Sequence, residues 1–265
     1  MSKWTETLQV TPPPLLSRLF SVWYRHYRVY TKNLISNGFP PFIEPLFFLA
    51  GIGLGLGHYV GLIEGVEYVK FLAAGITIPP AMFTASFECT FGTFIRLEYD
   101  KVYDGMLSSS INVKDLIIGE MLFAGSKSFF FSSAVLFVVS LFGLIPSPYA
   151  LFTPFVGFLT GLMFAALSLF ITSFVTNINH FNFYFTGLLT PMFFFSGIVF
   201  PLSEMPRGLR IAADFFPLTH AANIARSFCF GNFSLSLYLD LIYIICFIIV
   251  LTFFALIRLE KRLIT

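Results

Sequence analysis

The chain has 265 residues, of which 57% are hydrophobic and only 11% charged, with a formal net charge of +2. Soluble domains carry roughly 25% charged residues, so the composition excludes a soluble globular fold. The apolar residues run continuously rather than in the alternating ~10-residue segments of a β-barrel, so an all-α integral membrane protein is expected.

The first residues are polar, with Trp4, Glu6 and Pro12-Pro13-Pro14. No cleavable apolar region stands before the first span, which is expected to remain as an anchor. Leu15 to Asn33 then predicts one amphipathic helix. Leu16, Leu19, Phe20, Trp23, Tyr27 and Tyr30 share one face, and Arg18, Arg25, Arg28 and Lys32 cluster on the other. A basic helix with an aromatic face is expected to lie in the membrane interface. It either flanks the first span or also offers a docking surface to a cytoplasmic partner.

Six spans are expected, at residues 34–57, 69–94, 116–144, 149–175, 181–200 and 235–257. With both termini cytoplasmic, eleven of the sixteen Lys and Arg fall on the inner side, which the positive-inside rule favours. The first span holds Glu44-Pro45 and the glycines Gly51, Gly53, Gly55 and Gly57. These form two interleaved small-xxx-small pairs, Gly51/Gly55 and Gly53/Gly57, which permit close helix approach.

Residues 95–115 form the most charged passage and a substantial cytoplasmic loop, with Arg96, Glu98, Asp100, Lys101, Asp104, Lys114 and Asp115. A short helix is expected near its middle. The loop is either a solvated connector or a coupling element on which a cytoplasmic motor pushes. Glu44, Glu88, Glu120 and Lys127 sit within or beside apolar spans, where ionisable groups are costly and face the protein interior or water. Glu120 and Lys127 share a helix face about 10 Å apart, too far for easy direct pairing. Lys127 is expected to meet Glu88, Glu44 or a lipid phosphate, as a structural bridge or a substrate contact, and the alternative for Glu120 is that it marks only the cytoplasmic end of its helix.

Between the last two spans the chain is too polar and proline-broken to cross a bilayer and too apolar for an ordinary loop. Residues 201–230 are expected to form a re-entrant pair of short helices with a charged outer tip, Glu204 to Arg210.

Catalytic signatures are missing. Gly119 to Ser128 misses the P-loop spacing, with Ser126 between Gly125 and Lys127 and no preceding strand. There is no HExxH or GxSxG, the four histidines are scattered, and Cys89, Cys229 and Cys246 suggest neither a disulfide framework nor a metal site. No cofactor and no metal are expected on this chain, and it is not read as an enzyme. A secondary transporter driven by an ion gradient would show internal repeats with broken helices in both halves. Here only the C-terminal half carries such a break.

Three motifs carry a family resemblance. Phe195-Ser196-Gly197-Ile198-Val199-Phe200-Pro201, followed by Pro217-Leu218-Thr219-His220 and Arg226, resembles the C-terminal signature of the type-2 ABC exporter membrane subunits. Lys101-Val102-Tyr103-Asp104-Gly105-Met106-Leu107 with Gly119-Glu120, and Glu44-Pro45-Leu46 with its downstream glycines, are similar to the nodulation lipo-oligosaccharide branch. The resemblance implies a permease half, paired with a second copy and with two cytoplasmic ABC ATPase subunits that bind the ATP and Mg. It further implies coupling residues Arg18, Arg25, Arg96, Asp100, Lys101, Tyr103 and Asp104, and a gate hairpin with Pro201, Glu204, Arg207, Pro217, His220 and Arg226. The implied substrate is a lipid-linked oligo- or polysaccharide, with amphiphilic drugs or other lipids as alternatives. The implied site is the bacterial inner membrane, with no nucleic-acid partner.

Overall fold

The computed structural model describes residues 13–57, 59–63 and 65–264. The opening stretch with Lys3, Trp4, Glu6 and Pro12 lies outside the described residues, as do His58 and Glu64. The described chain is helical apart from one two-stranded hairpin, β1 (Leu62–Ile63) with β2 (Val66–Glu67), turned at Gly65.

In chain order, α1 (Leu15–Thr31) leads into α2 (Leu34–Gly57), and the β-hairpin joins α2 to α3 (Tyr68–Tyr99). The short α4 (Val102–Leu107) precedes α5 (Val113–Leu141) and α6 (Pro148–Thr172). A helical run over residues 181–195, α7, is followed by α8 (Arg207–Asp214), α9 (Pro217–Phe230) and α10 (Ser236–Ile264). Five helices, α2, α3, α5, α6 and α10, are long and apolar enough to cross a membrane among the described residues. The expected sixth span is shorter than the sequence predicts. Its helix stops at Phe195, and Gly197 adopts a left-handed φ of 77°. Fifteen residues reach only about 22 Å against a hydrocarbon core of about 30 Å.

Local sequence explains the breaks. Pro40-Pro41 and Pro79-Pro80 restart helices at their first turns, where a missing N–H costs nothing. α5 begins with a reciprocal cap: the Asn112 side chain accepts from the Asp115 N–H at 2.9 Å, and Asp115 accepts from the Asn112 N–H at 3.1 Å. α9 ends on Gly231 at φ 73°. Among described non-glycine residues only Lys101 has positive φ, where the chain leaves α3 and enters α4.

The core forms around α3, the most enclosed span, with α5, α6 and α9 against it. α5 and α6 approach closely because Gly157 and Gly161 face Ser132 and Ser128; a Cβ at either glycine would fall within 2.5 Å of the opposing serine. The glycines of α2 divide. Gly53 and Gly57 lie against Val69, whereas among the described residues nothing comes within 4 Å of a Cβ at Gly51 or Gly55.

α1 packs along the first half of α5. Arg18 meets Asp115, Val22 meets Gly119, His26 stacks on Phe123 and the Lys127 ammonium lies over the Tyr30 ring. Each partner is about 97 positions onward, so α1 runs parallel to the first half of α5 as part of the bundle. The enclosed face is therefore Arg18, Val22 and His26. Leu16, Phe20 and Tyr27 of the aromatic face stay exposed, as does Tyr24 beside them. The small side of Gly119 admits Val22 directly, which the amphipathic pattern does not register.

α10 ends beside α3, where Arg262 donates to Glu98 at 2.7 Å and to the Thr172 carbonyl. The start of α1 and the finish of α10 thus share one end of the bundle, called here proximal; the β-hairpin and α8 lie at the distal end.

Candidate functional site

The proximal end holds a buried chain of ion pairs. Lys127 Nζ donates to Glu88 Oε2 at 3.1 Å, Arg96 Nη1 to Glu88 Oε1 at 2.8 Å, and Arg96 Nε to Glu120 Oε1 at 2.9 Å. Glu120 also accepts from Thr93 Oγ1 at 2.9 Å and from the Tyr103 hydroxyl. Two cations and two carboxylates alternate, so the cluster is neutral as a unit and its charged groups have partners, which is what burial of charge requires. Glu120 is 1% exposed. Two π-helical turns, Glu88–Gly92 and Ile95–Tyr99, flank the stretch that aims Arg96 back towards Glu88; such turns often mark functional positions in helices.

These groups do not sit at mid-membrane. Tyr68 donates to the Val199 carbonyl at the distal end, and Glu88 lies twenty residues further along α3, beyond the turn at Ile76–Ile78; twenty residues of unbroken helix would cover about 30 Å, a full hydrocarbon thickness. Thr172, at the end of α6, bonds the Cys89 carbonyl at the same level. The cluster therefore marks the proximal margin.

Four helices meet there. α3 supplies Glu88, Thr93 and Arg96; α5 supplies Glu120 and Lys127; α4 supplies Tyr103; and α1 supplies His26, whose Nε2 is 3.6 Å from Glu120. Burial lowers the His26 imidazole from the usual 6.5 to about 4, against the opposing pull of Glu120. The Tyr103 hydroxyl is held well above its usual range by burial and by the adjacent carboxylate.

The residues grouped as coupling candidates thus separate. Arg96 and Tyr103 point inward, and Arg18 pairs with Asp115 at 3.0 Å. Asp100, Lys101 and Asp104 are exposed, and Arg25 is half-buried. Lys101 reaches only Glu98, at 4.0 Å.

At the distal end, Pro201 and Pro217 are buried and Glu204 and Arg207 are exposed. Arg226 donates to the carbonyls of Gly197 (2.5 Å) and Ile198 (3.2 Å), and its guanidinium covers the Phe71 ring at 4.0 Å. It ties α9 to both α3 and the end of α7. His220 Nδ1 lies 2.6 Å from Asp240 Oδ1 and Nε2 lies 3.0 Å from the Asp214 carbonyl. Both ring nitrogens thus lie against oxygen atoms, one on α10 and one at the end of α8. Glu44 stands apart, exposed on α2 beside a cavity of about 160 Å³ bordered by Pro45, Phe48 and Phe193.

The profile of the ABC-2 type transporter family matches residues 17–230, from α1 through the last residue of α9. The chain belongs to that family. It is also similar to proteins named nodulation protein J. The relative from Sinorhizobium fredii (strain NBRC 101917 / NGR234) is 35% identical over 206 residues, covering 78% of this chain and 79% of its own. That from Bradyrhizobium diazoefficiens is 34% identical over 250 residues, covering 91% and 92%. That from Rhizobium meliloti (strain 1021) is 30% identical over 243 residues, covering 92% and 93%. This ABC-2 protein is therefore a multi-pass membrane transporter subunit, of a family whose membrane subunits are typically non-catalytic. Proteins of the family generally work with an ATP-binding subunit.

Sequence reasoning overlooked His26, Thr93, Asp115, Asp240 and Arg262 as partners in these clusters. A signal existed for some of them. Arg18, Val22 and His26 are spaced by four and share a helix face, and Asn112-x-x-Asp115 is a capping pattern. Thr93, Asp240 and Arg262 gain meaning only from helices far away in the chain.

Proposed function

We propose that this ABC-2 subunit is the membrane half of an ATP-driven exporter that moves a lipid-linked oligo- or polysaccharide, or a similar amphiphile, across the bacterial inner membrane. Two copies work with two cytoplasmic ABC ATPase subunits, which carry the ATP and Mg. The proximal end is cytoplasmic, in keeping with the basic residues gathered there. The likeness to proteins named nodulation protein J favours an acylated glycan as cargo over drugs.

The observation that carries this reading is the two-sided character of α4. Its outer face offers Asp104, beside Lys101 and Asp100, to solvent, while its inner face sends Tyr103 into the ion-pair chain that joins α1, α3 and α5. A push on the exposed side therefore reaches three helices through Glu120. An ATPase that binds α4 more tightly in one of two bundle arrangements shifts their populations by that difference in affinity. At the other end, α8 and α9 close the path, with Arg226 and His220 holding the hairpin to the spans.

The test is co-purification with the cognate ATPase, followed by ATP-dependent movement of an acylated oligosaccharide in inverted vesicles. Asp104→Lys is expected to leave the protein inserted and folded while the ATPase no longer co-purifies and export stops. Export at the native rate by that variant removes α4 from the mechanism. Export without ATP, or none with the ATPase bound, removes the exporter reading itself.

A further inference from the structure

α1 sits on α5 with a cavity on either side, and the two cavities share the wall formed by Tyr30, Phe123 and Lys127. One, of about 250 Å³, is an apolar groove bordered by Trp23, Tyr27, Leu34 and Phe130. The other, of about 350 Å³, is polar and reaches Arg25, Asn33, Glu88 and Arg96. An apolar slot and a cationic pocket thus adjoin at Lys127, at the level where the hydrocarbon core ends.

The charge balance of the polar side is uneven. Arg96 lies between two carboxylates and is satisfied by both. Lys127 has one carboxylate contact, Glu88, which it shares with Arg96. Arg25 is half-buried and, among the described residues, forms no ion pair and donates no hydrogen bond, although it feels the fields of Glu120 and Asp100. The pocket is lined by three cations, Arg25, Arg96 and Lys127, and by two acids, Glu88 and the exposed Asp100; Glu120 meets Arg96 outside that lining.

We propose that these joined cavities hold one anionic phospholipid of the cytoplasmic leaflet, its phosphate between Arg25 and Lys127 and one acyl chain along the Trp23–Phe130 groove. The occupant follows from the chemistry: a tail-shaped apolar slot, a surplus cation beside it, and a depth at which headgroups meet hydrocarbon. Anionic lipids are concentrated in the cytoplasmic leaflet, and basic pockets between spans on that side take their headgroups. Such a lipid would wedge α1 against α5 and fill the space beside the ion-pair chain. The proposal rests on the reading that the proximal end is cytoplasmic.

Native mass spectrometry of the purified protein, titrated with phosphatidylglycerol or phosphatidylcholine, tests it without any transport step. Phosphatidylglycerol is expected to be retained at about tenfold lower concentration, the scale of one charge-assisted hydrogen bond. Arg25→Gln should abolish that preference, and Arg25→Lys should keep most of it, which separates lost charge from lost folding. Thr31→Trp, which intrudes on the apolar groove, should weaken both lipids alike. Equal retention of the two lipids by the native protein, an unchanged preference in Arg25→Gln, or displacement by millimolar inorganic phosphate would overturn the assignment. Lipid preference without ATP-dependent export would leave the lipid site standing while removing the exporter reading. Labelling of Lys101→Cys only from the outer side would place the site in the wrong leaflet and overturn it.

Discussion

Replacing Arg96 with methionine removes the one side chain that touches both buried carboxylates of the proximal cluster. Glu120 is 1% exposed and would keep only the Thr93 and Tyr103 hydroxyls as donors, with no cation in direct hydrogen-bonded contact. Glu88 would keep Lys127 at 3.1 Å. Removing one partner of a buried pair costs about 3–5 kcal/mol, mostly as the penalty of the charge left behind. Arg96→Met is expected to lose about that much in unfolding free energy, measured by denaturant titration in mixed micelles. The double variant Arg96→Met with Glu120→Gln removes the stranded charge together with its partner and leaves Lys127–Glu88 intact. It should recover at least half of the loss, giving a coupling energy of about 2 kcal/mol in a double-mutant cycle. Glu120→Gln alone should cost less than Arg96→Met, because Arg96 keeps Glu88. A loss below about 1 kcal/mol for Arg96→Met, or simple additivity in the double variant, would refute the account of the cluster as a coupled buried unit.

Two further outcomes probe α1. Gly119→Ala places a Cβ 2.6 Å from Val22 atoms, an overlap with a stiff β-branched side chain that should cost roughly 1–3 kcal/mol. It should also expose α1 to trypsin at Arg25 and Arg28, whereas Gly51→Ala, which nothing approaches within 4 Å, should change neither; equal behaviour of the two variants would count against the parallel packing of α1 on α5. For His26, the folded value near 4 lies below the ordinary 6.5, so the unfolded chain binds the proton more readily. Stability from this group is full above pH 6.5 and declines as pH falls towards 4, by up to about 3 kcal/mol at 1.36 kcal/mol per unit. His26→Phe should flatten that decline in a pH series of thermal unfolding; an identical acid limb in both proteins would show that His26 is not enclosed.

Much of the site could be read in advance as a set of residues but not as an arrangement. Glu88 was named among the candidate partners of Lys127 because a charge beside an apolar span needs a counter-charge nearby. The choice between Glu88 and Glu44 depended on which helix lies beside α5 at that depth, and only the packed bundle supplies it. Arg96 and Tyr103 read as loop residues because they fall in the most charged passage, yet α3 continues five residues past Phe94 and turns Arg96 inward, while α4 brings in Tyr103. The two short helices within residues 201–230 were legible, since Pro201, Pro206 and Pro217 and the polar tip break the apolar pattern locally.

The sequence by itself determined that this chain spans a membrane as helices, that the stretch before the last span is broken, and which end gathers the basic residues. These properties follow from runs of apolar side chains, proline and glycine positions and charge counts, all local along the chain. Tertiary structure alone decided that α1 stands beside α5, that the four charged groups join in one line at the proximal margin, and that α4 reaches them through Tyr103. Those outcomes depend on which side chains meet across distant segments. Burial makes each charge seek a partner, but the partner's identity is set by helix approach, as where Gly119 leaves room for Val22.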